Sequence, residues 1–338
     1  TWDVAKFQRR SDETTRIALD FVKAAKEPFF LWIHYWDPHD GVQVPPKELL
    51  PKNLWRKGVD GELEPSRELY AAEVSYVDAQ FGRLVSALRE RGELEHTIFV
   101  IVADHGEGLG DHGWDHHRIL YQEEIRVPLI VRLPGIQQTP NVPALVRTTD
   151  IFPTVLDRLG IVPPKSVSGE SLLGLIEGRG EAPRIACADQ INGYDWNAKM
   201  VETHPLDDFL YCAMDRDWKL IYRPSQPEKS ELYDIAHDPG ELANLFSQQP
   251  EEVRRLEREL ARCNGWVTAP FESDGSAVDA QAAASALDAL GYTGGGEPTR
   301  AAEIRWAWTC PDHSDVRASE RGLCPSCGSP LIPVRANP

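Results

Sequence analysis

No run of about 18 apolar residues occurs in this chain, so a membrane-spanning helix is not expected. No basic segment followed by an apolar one opens it in the manner of a secretion signal, and its first residue is Thr1 rather than Met. The reading is of a start that lies upstream or was removed. Positive charge is scarce as well: 36 Lys and Arg stand against 53 Asp and Glu, a net charge of −17. Nucleic acid is therefore not an expected partner, because binding it needs basic patches that displace counterions. Evenly spread cysteines are also missing. Of the six, Cys187, Cys212 and Cys263 are scattered singly and read by default as buried, inert thiols rather than a disulfide framework. No internal repeat is present. What remains is an ordinary globular mix of 41% hydrophobic and 26% charged residues, in 338 residues that suffice for one large domain or two smaller ones.

Apolar runs that close on polar or glycine-bearing turns dominate the first half. Residues 28–34 read as a buried strand running into Asp37-Pro38-His39-Asp40, with His34 as a core histidine. Residues 66–91 read as a helix, with Tyr70, Val74, Val77, Phe81, Leu84 and Leu88 at spacings of three and four. Residues 97–103 and 127–133 read as further strands. Asp150 is placed to cap a short helix through Leu159, which Gly160 stops. Continuous apolar strands alternating with amphipathic helices argue for an α/β fold with a mostly parallel sheet flanked by helices.

From 207 the texture changes to a smaller α+β region. The runs 209–214 and 218–222 flank the turn Asp215-Arg216-Asp217 as a hairpin, 231–235 adds a strand, and Pro250 opens a helix with Val253, Leu256 and Leu260 on one face. A stretch rich in Ala, Gly, Ser and Asp then reads as a linker. The expected division is 1–206 for the large α/β domain, 207–271 for the α+β region, 272–304 for the linker and 305–338 for a short Cys/His metal module.

The strongest local signal in the large domain is Asp104-His105-Gly106-Glu107, directly after a strand. Ligands of open parallel sheets bind beyond the carboxyl ends of the strands, and an adjacent carboxylate and imidazole can hold a divalent cation. His112, His116 and His117 follow, placing four of the ten histidines in one loop. His39 closes another expected strand. If the strands run parallel, His39 and the 104–117 loop share one sheet edge, where imidazoles could bind an anionic ester and protonate a departing alkoxide.

These strings resemble the sulfatases of the alkaline phosphatase superfamily. The resemblance rests on residues 103–113, on Leu120-Tyr121-Gln122-Glu123-Glu124, and on Arg126-Val127-Pro128-Leu129-Ile130. Other pieces follow in order: His34 to His39, Ala72 to Asp78, Thr149 to Thr154, Trp218 to Ile221, Glu231 to Asp234 with Asp238-Pro239, and Leu290-Gly291-Tyr292. It implies an alkaline-phosphatase-like fold and hydrolysis of a sulfate monoester, the substrate being a small-molecule or carbohydrate sulfate ester. A formylglycine nucleophile attacks sulfur beside a bound Ca²⁺. By position, Asp104 and His105 would be metal ligands, His39 would meet the sulfate or the leaving oxygen, and His117 or His116 would fill a Lys/His slot ahead of the motif tyrosine. Glu107 and Arg126 would be structural supports. The family's Cys/Ser-x-Pro-x-Arg motif occurs nowhere here, and its paired acidic ligands on the first strand are missing too. The expectation is thus the C-terminal two-thirds of the fold, with half a metal site and no nucleophile.

The tail carries a second signal. Cys310-Pro311-Asp312-His313 is followed ten residues later by Cys324-Pro325-Ser326-Cys327-Gly328. Two such pairs make the ligand set of a tetrahedral zinc knuckle or ribbon, with Gly328 allowing the sharp turn and Trp308 and Leu331 a small apolar patch. The tail resembles small heavy-metal-binding modules in which Met often fills the slots held here by Asp312 and Ser329, which favours Zn²⁺ over copper. A disulfide plus a spare cysteine is the bland alternative. For the whole chain, a phosphate or phosphonate ester hydrolase of the same fold is the nearest alternative, and a non-catalytic metal-binding product is another. The compartment stays open, since the family is often exported while a reduced zinc-thiolate tail suits the cytosol.

Overall fold

The computed structural model describes residues 9–39, 44–50, 52, 66–113, 119–136, 141–180, 183–191, 209–224, 226–263, 306–320 and 322–335. Helix α1 (Ser11–Ala24) packs along α2 (Arg67–Glu90), which Ser66 caps by accepting the Leu69 N–H at 3.2 Å. α2 buries Leu69, Ala72, Tyr76, Leu84 and Leu88, together with Glu73 and Gln80. The expected stripe is therefore corrected in phase: Leu84 and Leu88 lie on it, whereas Val74 is 43% exposed. Spacings of three and four define the helical period, but contact with α1 decides which parallel stripe turns inward.

Residues 29–34 lie against this pair with alternating burial. Phe29, Leu31 and Ile33 pack into the α1–α2 cluster, while Phe30 (89% exposed), Trp32 (80%) and His34 face outward. Among the described residues this segment forms no strand ladder, so the buried strand is corrected, and with it the core placement of His34. Cover on one face alone leaves the other half of a period-two segment exposed.

Strand β1 (Phe99–Val102) pairs with β2 (Leu129–Arg132), Phe99 opposite Arg132. The pairing is antiparallel, as is every strand pairing among the described residues. The mostly parallel sheet is corrected for these strands. A parallel return needs a crossover, usually a helix, and the only helix seen between β1 and β2 among the described residues that is more than a 3₁₀ turn is the single turn α3 (Gln122–Ile125). Helices α4 (Ile151–Arg158) and α5 (Leu173–Ile176) follow. Asp150 does not cap α4 with its side chain. Fully buried, its carboxylate accepts the Arg147 guanidinium at 2.8 Å and the Glu170 N–H at 2.9 Å.

The C-terminal layer is a four-stranded antiparallel sheet, β3 (Ala186–Ile191), β4 (Phe209–Met214), β5 (Trp218–Tyr222) and β6 (Glu231–Asp234), in that order. The expected hairpin forms, and Asp215 Oδ1 accepts the N–H groups of Asp217 and Trp218, both at 2.8 Å. Alternate side chains serve two cores. Leu210, Cys212 and Ile221 pack under Ile119 to Tyr121, while Ala213, Leu220 and Leu232 pack against helix α6 (Pro250–Cys263). α6 buries the expected Val253, Leu256 and Leu260, each contributing roughly 1.5–3 kcal/mol on burial. The sheet thus stands between the 119–125 segment and α6.

Cys187 and Cys263, read as inert thiols, instead form a disulfide across 76 residues that ties β3 to the end of α6. Their spacing carries no periodicity, so only the folded neighbourhood pairs them; a disulfide belongs to oxidising surroundings. Cys212 is a buried free thiol, which burial pushes up to about 12. The linker at 272–304 lies outside the described residues. The tail forms a small sheet in the order β8 (Arg317–Ala318), β7 (Trp306–Thr309), β9 (Ile332–Arg335). Among the described residues, no helix is long and apolar enough to cross a membrane.

Candidate functional site

The segment bearing His39 is held from behind by α1. The fully buried Asp37 carboxylate accepts the Ser11 N–H at 2.9 Å, and Tyr35 shares a hydrogen bond with Thr15 at 3.0 Å. Burial keeps the Asp37 carboxyl above the usual carboxylate range, with the Ser11 bonds opposing it. His39 then lies 5.1 Å from the Trp36 ring and 6.4 Å from the His105 ring, centroid to centroid. Two of the expected site residues, 66 positions apart in the chain, are therefore neighbours past the end of β1.

Asp104 is exposed, and its Oδ2 lies 3.8 Å from His105 Nε2. His105 Nδ1 faces the Gly106 carbonyl at 2.8 Å. A carbonyl can only accept, so Nδ1 carries the proton, and in the neutral ring Nε2 presents its lone pair beside the Asp104 carboxylate. One oxygen and one nitrogen donor thus converge. Gly106 makes this turn possible. Its N–H donates to the Glu124 carbonyl at 2.7 Å, and a Cβ at this position would meet the Glu123 carbonyl oxygen at 2.0 Å.

The loop then coils tightly, with Leu109 and His112 at φ values of 47° and 52°, where non-glycine residues are uncommon. His112 turns inward rather than toward a ligand. Its Nδ1 meets Glu123 Oε1 at 2.6 Å, and its Nε2 lies 3.2 Å from the Glu241 carbonyl, across 129 residues. Burial works against the charged imidazole, but the Glu123 bond and charge outweigh it and raise His112 above the ordinary histidine value. Glu241 in turn accepts the Gln122 N–H at 2.6 Å and pairs with Lys219 at 2.6 Å, both side chains fully buried. Tyr121 donates to Glu231 at 2.5 Å, which also receives Tyr233 and Arg223 at 2.6 Å each. Burial opposes ionisation of Glu231, yet Arg223 and the two hydroxyls hold it below the usual carboxylate range.

Glu123, Glu241, Lys219 and Glu231 support the site. Glu123, Lys219 and Glu231 stand in strings that carried the resemblance, without a role assigned to them, and Glu241 stands in none; the contacts that join the 112–122 residues to Glu231 and Glu241 span more than a hundred residues. His116 and His117 lie outside the described residues.

The tail brings its four expected ligands together. Ligand atoms of Cys310, His313, Cys324 and Cys327 all lie within 4.8 Å of one another. Cys310 Sγ is 3.6 Å from both His313 Nδ1 and Cys327 Sγ, and Cys324 Sγ is 3.7 Å from His313 Nδ1. Tetrahedral coordination with metal–S of about 2.3 Å and metal–N of about 2.0–2.1 Å requires edges of about 3.6–3.8 Å, which these three separations match. Gly328 sits at φ 72° in the knuckle, its N–H on the Cys324 carbonyl at 2.8 Å. Cys310, Cys324 and Leu331 form the module's own small core, with Trp308 against it.

The family model for Sulfatase matches residues 4–161, and that for N-sulphoglucosamine sulphohydrolase, C-terminal, matches residues 110–264. The chain is 34% identical to an N-acetylglucosamine-6-O-sulfatase of Bacteroides thetaiotaomicron, over 56% of this chain and 33% of that protein. It is 30% identical to arylsulfatase K of Mus musculus (62% and 37% of the two lengths) and 30% identical to an arylsulfatase of Clostridium perfringens (70% and 53%). The chain thus spans about half or less of the length of these relatives. Among solved structures, a protein bound to its substrate D-glucosamine-2-N,6-O-disulfate superposes with a TM-score of 0.53 at 21% identity, over 76% of this chain and 69% of that one. The phosphonate monoester hydrolase of Agrobacterium radiobacter does so with a TM-score of 0.56 at 22% identity, over 76% and 61%. These likenesses show the fold, which is alkaline-phosphatase-like α/β.

Proposed function

Because the chain belongs to the sulfatase family, we propose that the protein hydrolyses a sulfate monoester, with His39, Asp104 and His105 as this chain's share of the reaction centre. The observation that carries the reading is the convergence of the His39 and His105 rings, 6.4 Å apart, beside the Asp104 carboxylate. The family binds a divalent metal, and in this reading the ion is Ca²⁺, held by Asp104 and by His105 Nε2. A carboxylate oxygen suits such a hard ion, and the bond from His105 Nδ1 to the Gly106 carbonyl aims the other donor. When bound, the ion supplies neutralisation of the sulfate oxygens.

His39 contacts the sulfate or the leaving oxygen and delivers a proton to the departing alkoxide, a task suited to an imidazole near neutral pH. His117 or His116 shares the anion; this assignment rests on the resemblance. Trp36, beside His39, offers an apolar face on which a sugar or aryl ring can stack. The name of the Bacteroides thetaiotaomicron relative supports a sulfated sugar as substrate. The Cys/His group of the tail holds Zn²⁺ in this reading. The division into 1–206, 207–271 and 305–338 about a linker at 272–304 rests on composition.

The test is hydrolysis of an aryl sulfate and of a sulfated glucosamine by the protein as its gene encodes it, alongside His39→Ala and Asp104→Asn. Turnover of either sulfate ester that falls at least a hundredfold in both variants is the expected result. Turnover of an aryl phosphonate or phosphate in preference to both sulfates would reassign the ester, and turnover of none of them would remove the enzyme reading.

A further inference from the structure

The tail sheet does more than house four ligands. Its strand β9 sends Ile332 into the core shared by Leu220, Leu232, Leu256 and Leu260, and the Pro333 carbonyl accepts the buried Tyr222 hydroxyl at 2.9 Å. Asp312, which stands between the ligands Cys310 and His313, takes Arg258 of α6 at 2.8 Å. The tail therefore meets both α6 and β5, through Asp312 inside the first ligand pair and through β9 further along the chain. The opposite attachment of α6 is the Cys187–Cys263 disulfide to β3.

We infer that metal bound by Cys310, His313, Cys324 and Cys327 acts as a clasp that fastens the tail sheet onto α6 and the four-stranded sheet. The inference rests on the zinc reading of this group and extends it from a ligand set to a task. Three thiolates and an imidazole fill a tetrahedral shell and leave no open position for substrate, which is the mark of a structural rather than a catalytic site. The module's own core is too small to order it, so the metal supplies its folding energy. Asp312 lies between two ligand positions, so coordination orients the carboxylate that Arg258 meets. The turn that carries the second pair, closed by Gly328 on the Cys324 carbonyl and by Cys324 on the Ser329 carbonyl, leads through Leu331 into β9, so the same event presents Ile332 and Pro333. Metal binding and docking are then one cooperative step. The soft donor set selects Zn²⁺ over Ca²⁺ or Mg²⁺, which prefer oxygen.

The experiment measures zinc per chain by elemental analysis, then hydrogen exchange of the whole protein before and after removal of zinc with a chelator. One zinc per chain is expected, and its removal raises exchange about tenfold or more both in β7–β9 and in residues 250–263. Arg258→Ala serves as a docking variant that leaves every ligand in place; it retains zinc and raises exchange at 250–263. Retained zinc whose removal loosens β7–β9 but leaves 250–263 unchanged would overturn the clasp while the metal site stands. A protein that binds no zinc, and whose three tail thiols all react at once with a thiol reagent, would overturn the metal reading and the clasp with it.

Discussion

His112 lies face to face with Tyr121, their ring centroids 3.8 Å apart and their planes within 2°. Through this stack the loop that follows Asp104 and His105 rests on the C-terminal sheet, because the Tyr121 hydroxyl donates to Glu231 of β6. The loop beside the candidate centre and the four-stranded sheet are thus in direct contact.

Replacing His112 by Gln removes the Glu123 partner and the stack, and is expected to cost about 1–3 kcal/mol in urea unfolding. The sign of its pH dependence follows from the raised value of His112. The contribution is complete below the ordinary histidine value of 6.5 and is lost as pH rises through the higher folded value. The gap between wild type and His112→Gln should therefore narrow toward alkaline pH. A gap that widens there contradicts the assignment.

Lys219→Met leaves the Glu241 carboxylate buried without its cation, and a loss of about 3–5 kcal/mol is expected. Adding Glu241→Gln removes the stranded charge and keeps an acceptor for the Gln122 N–H. The double variant should recover most of the stability, measured as the coupling in a double-mutant cycle. Additive losses would show that the pair acts otherwise.

Gly106→Ala places a methyl where the Glu123 carbonyl oxygen already stands, at 2.0 Å. Backbone rather than a flexible side chain must yield, so destabilisation of at least about 2 kcal/mol is expected, together with displacement of Asp104 and His105. Chemical shifts of the His105 ring would report the displacement. An unchanged His105 resonance and an unchanged unfolding midpoint would contradict it.

Glu257 of α6 is pushed up to about 8, chiefly by burial, with Asp312 adding and Arg254 and Arg258 opposing. Its folded value stands above the unfolded 4.5, so the protonated form favours the fold, and that advantage drains away as pH rises from about 4.5 to about 8. Glu257→Gln, neutral throughout, should gain stability relative to wild type across that interval and hold the gain above it. Urea midpoints at pH 5, 7 and 9 (all approximate choices spanning the window) check this. A variant that loses ground as pH rises would reverse the sign.

Much of this protein is legible locally. The heptad-like spacing of Val253, Leu256 and Leu260, the Asp215 turn and the pairing of Cys310 with His313 and of Cys324 with Cys327 are each visible within one or two turns of chain. A ligand pair two residues apart, or an apolar stripe of period 3.6, needs no distant partner to be read. The order of motifs around Asp104 and His105 carried the family in the same way.

Other features exist only once the sheet has formed. The outward turn of Phe30, Trp32 and His34, the inward role of His112, the Lys219–Glu241 pair and the Cys187–Cys263 disulfide depend on which surfaces meet. Sequence by itself determined the helical and strand periods, the Cys/His pairs and the family. Tertiary structure decided which face of each element is covered and which charges are paired. A period specifies how side chains repeat along an element, but burial and pairing are properties of two surfaces brought together, here across as many as 129 residues.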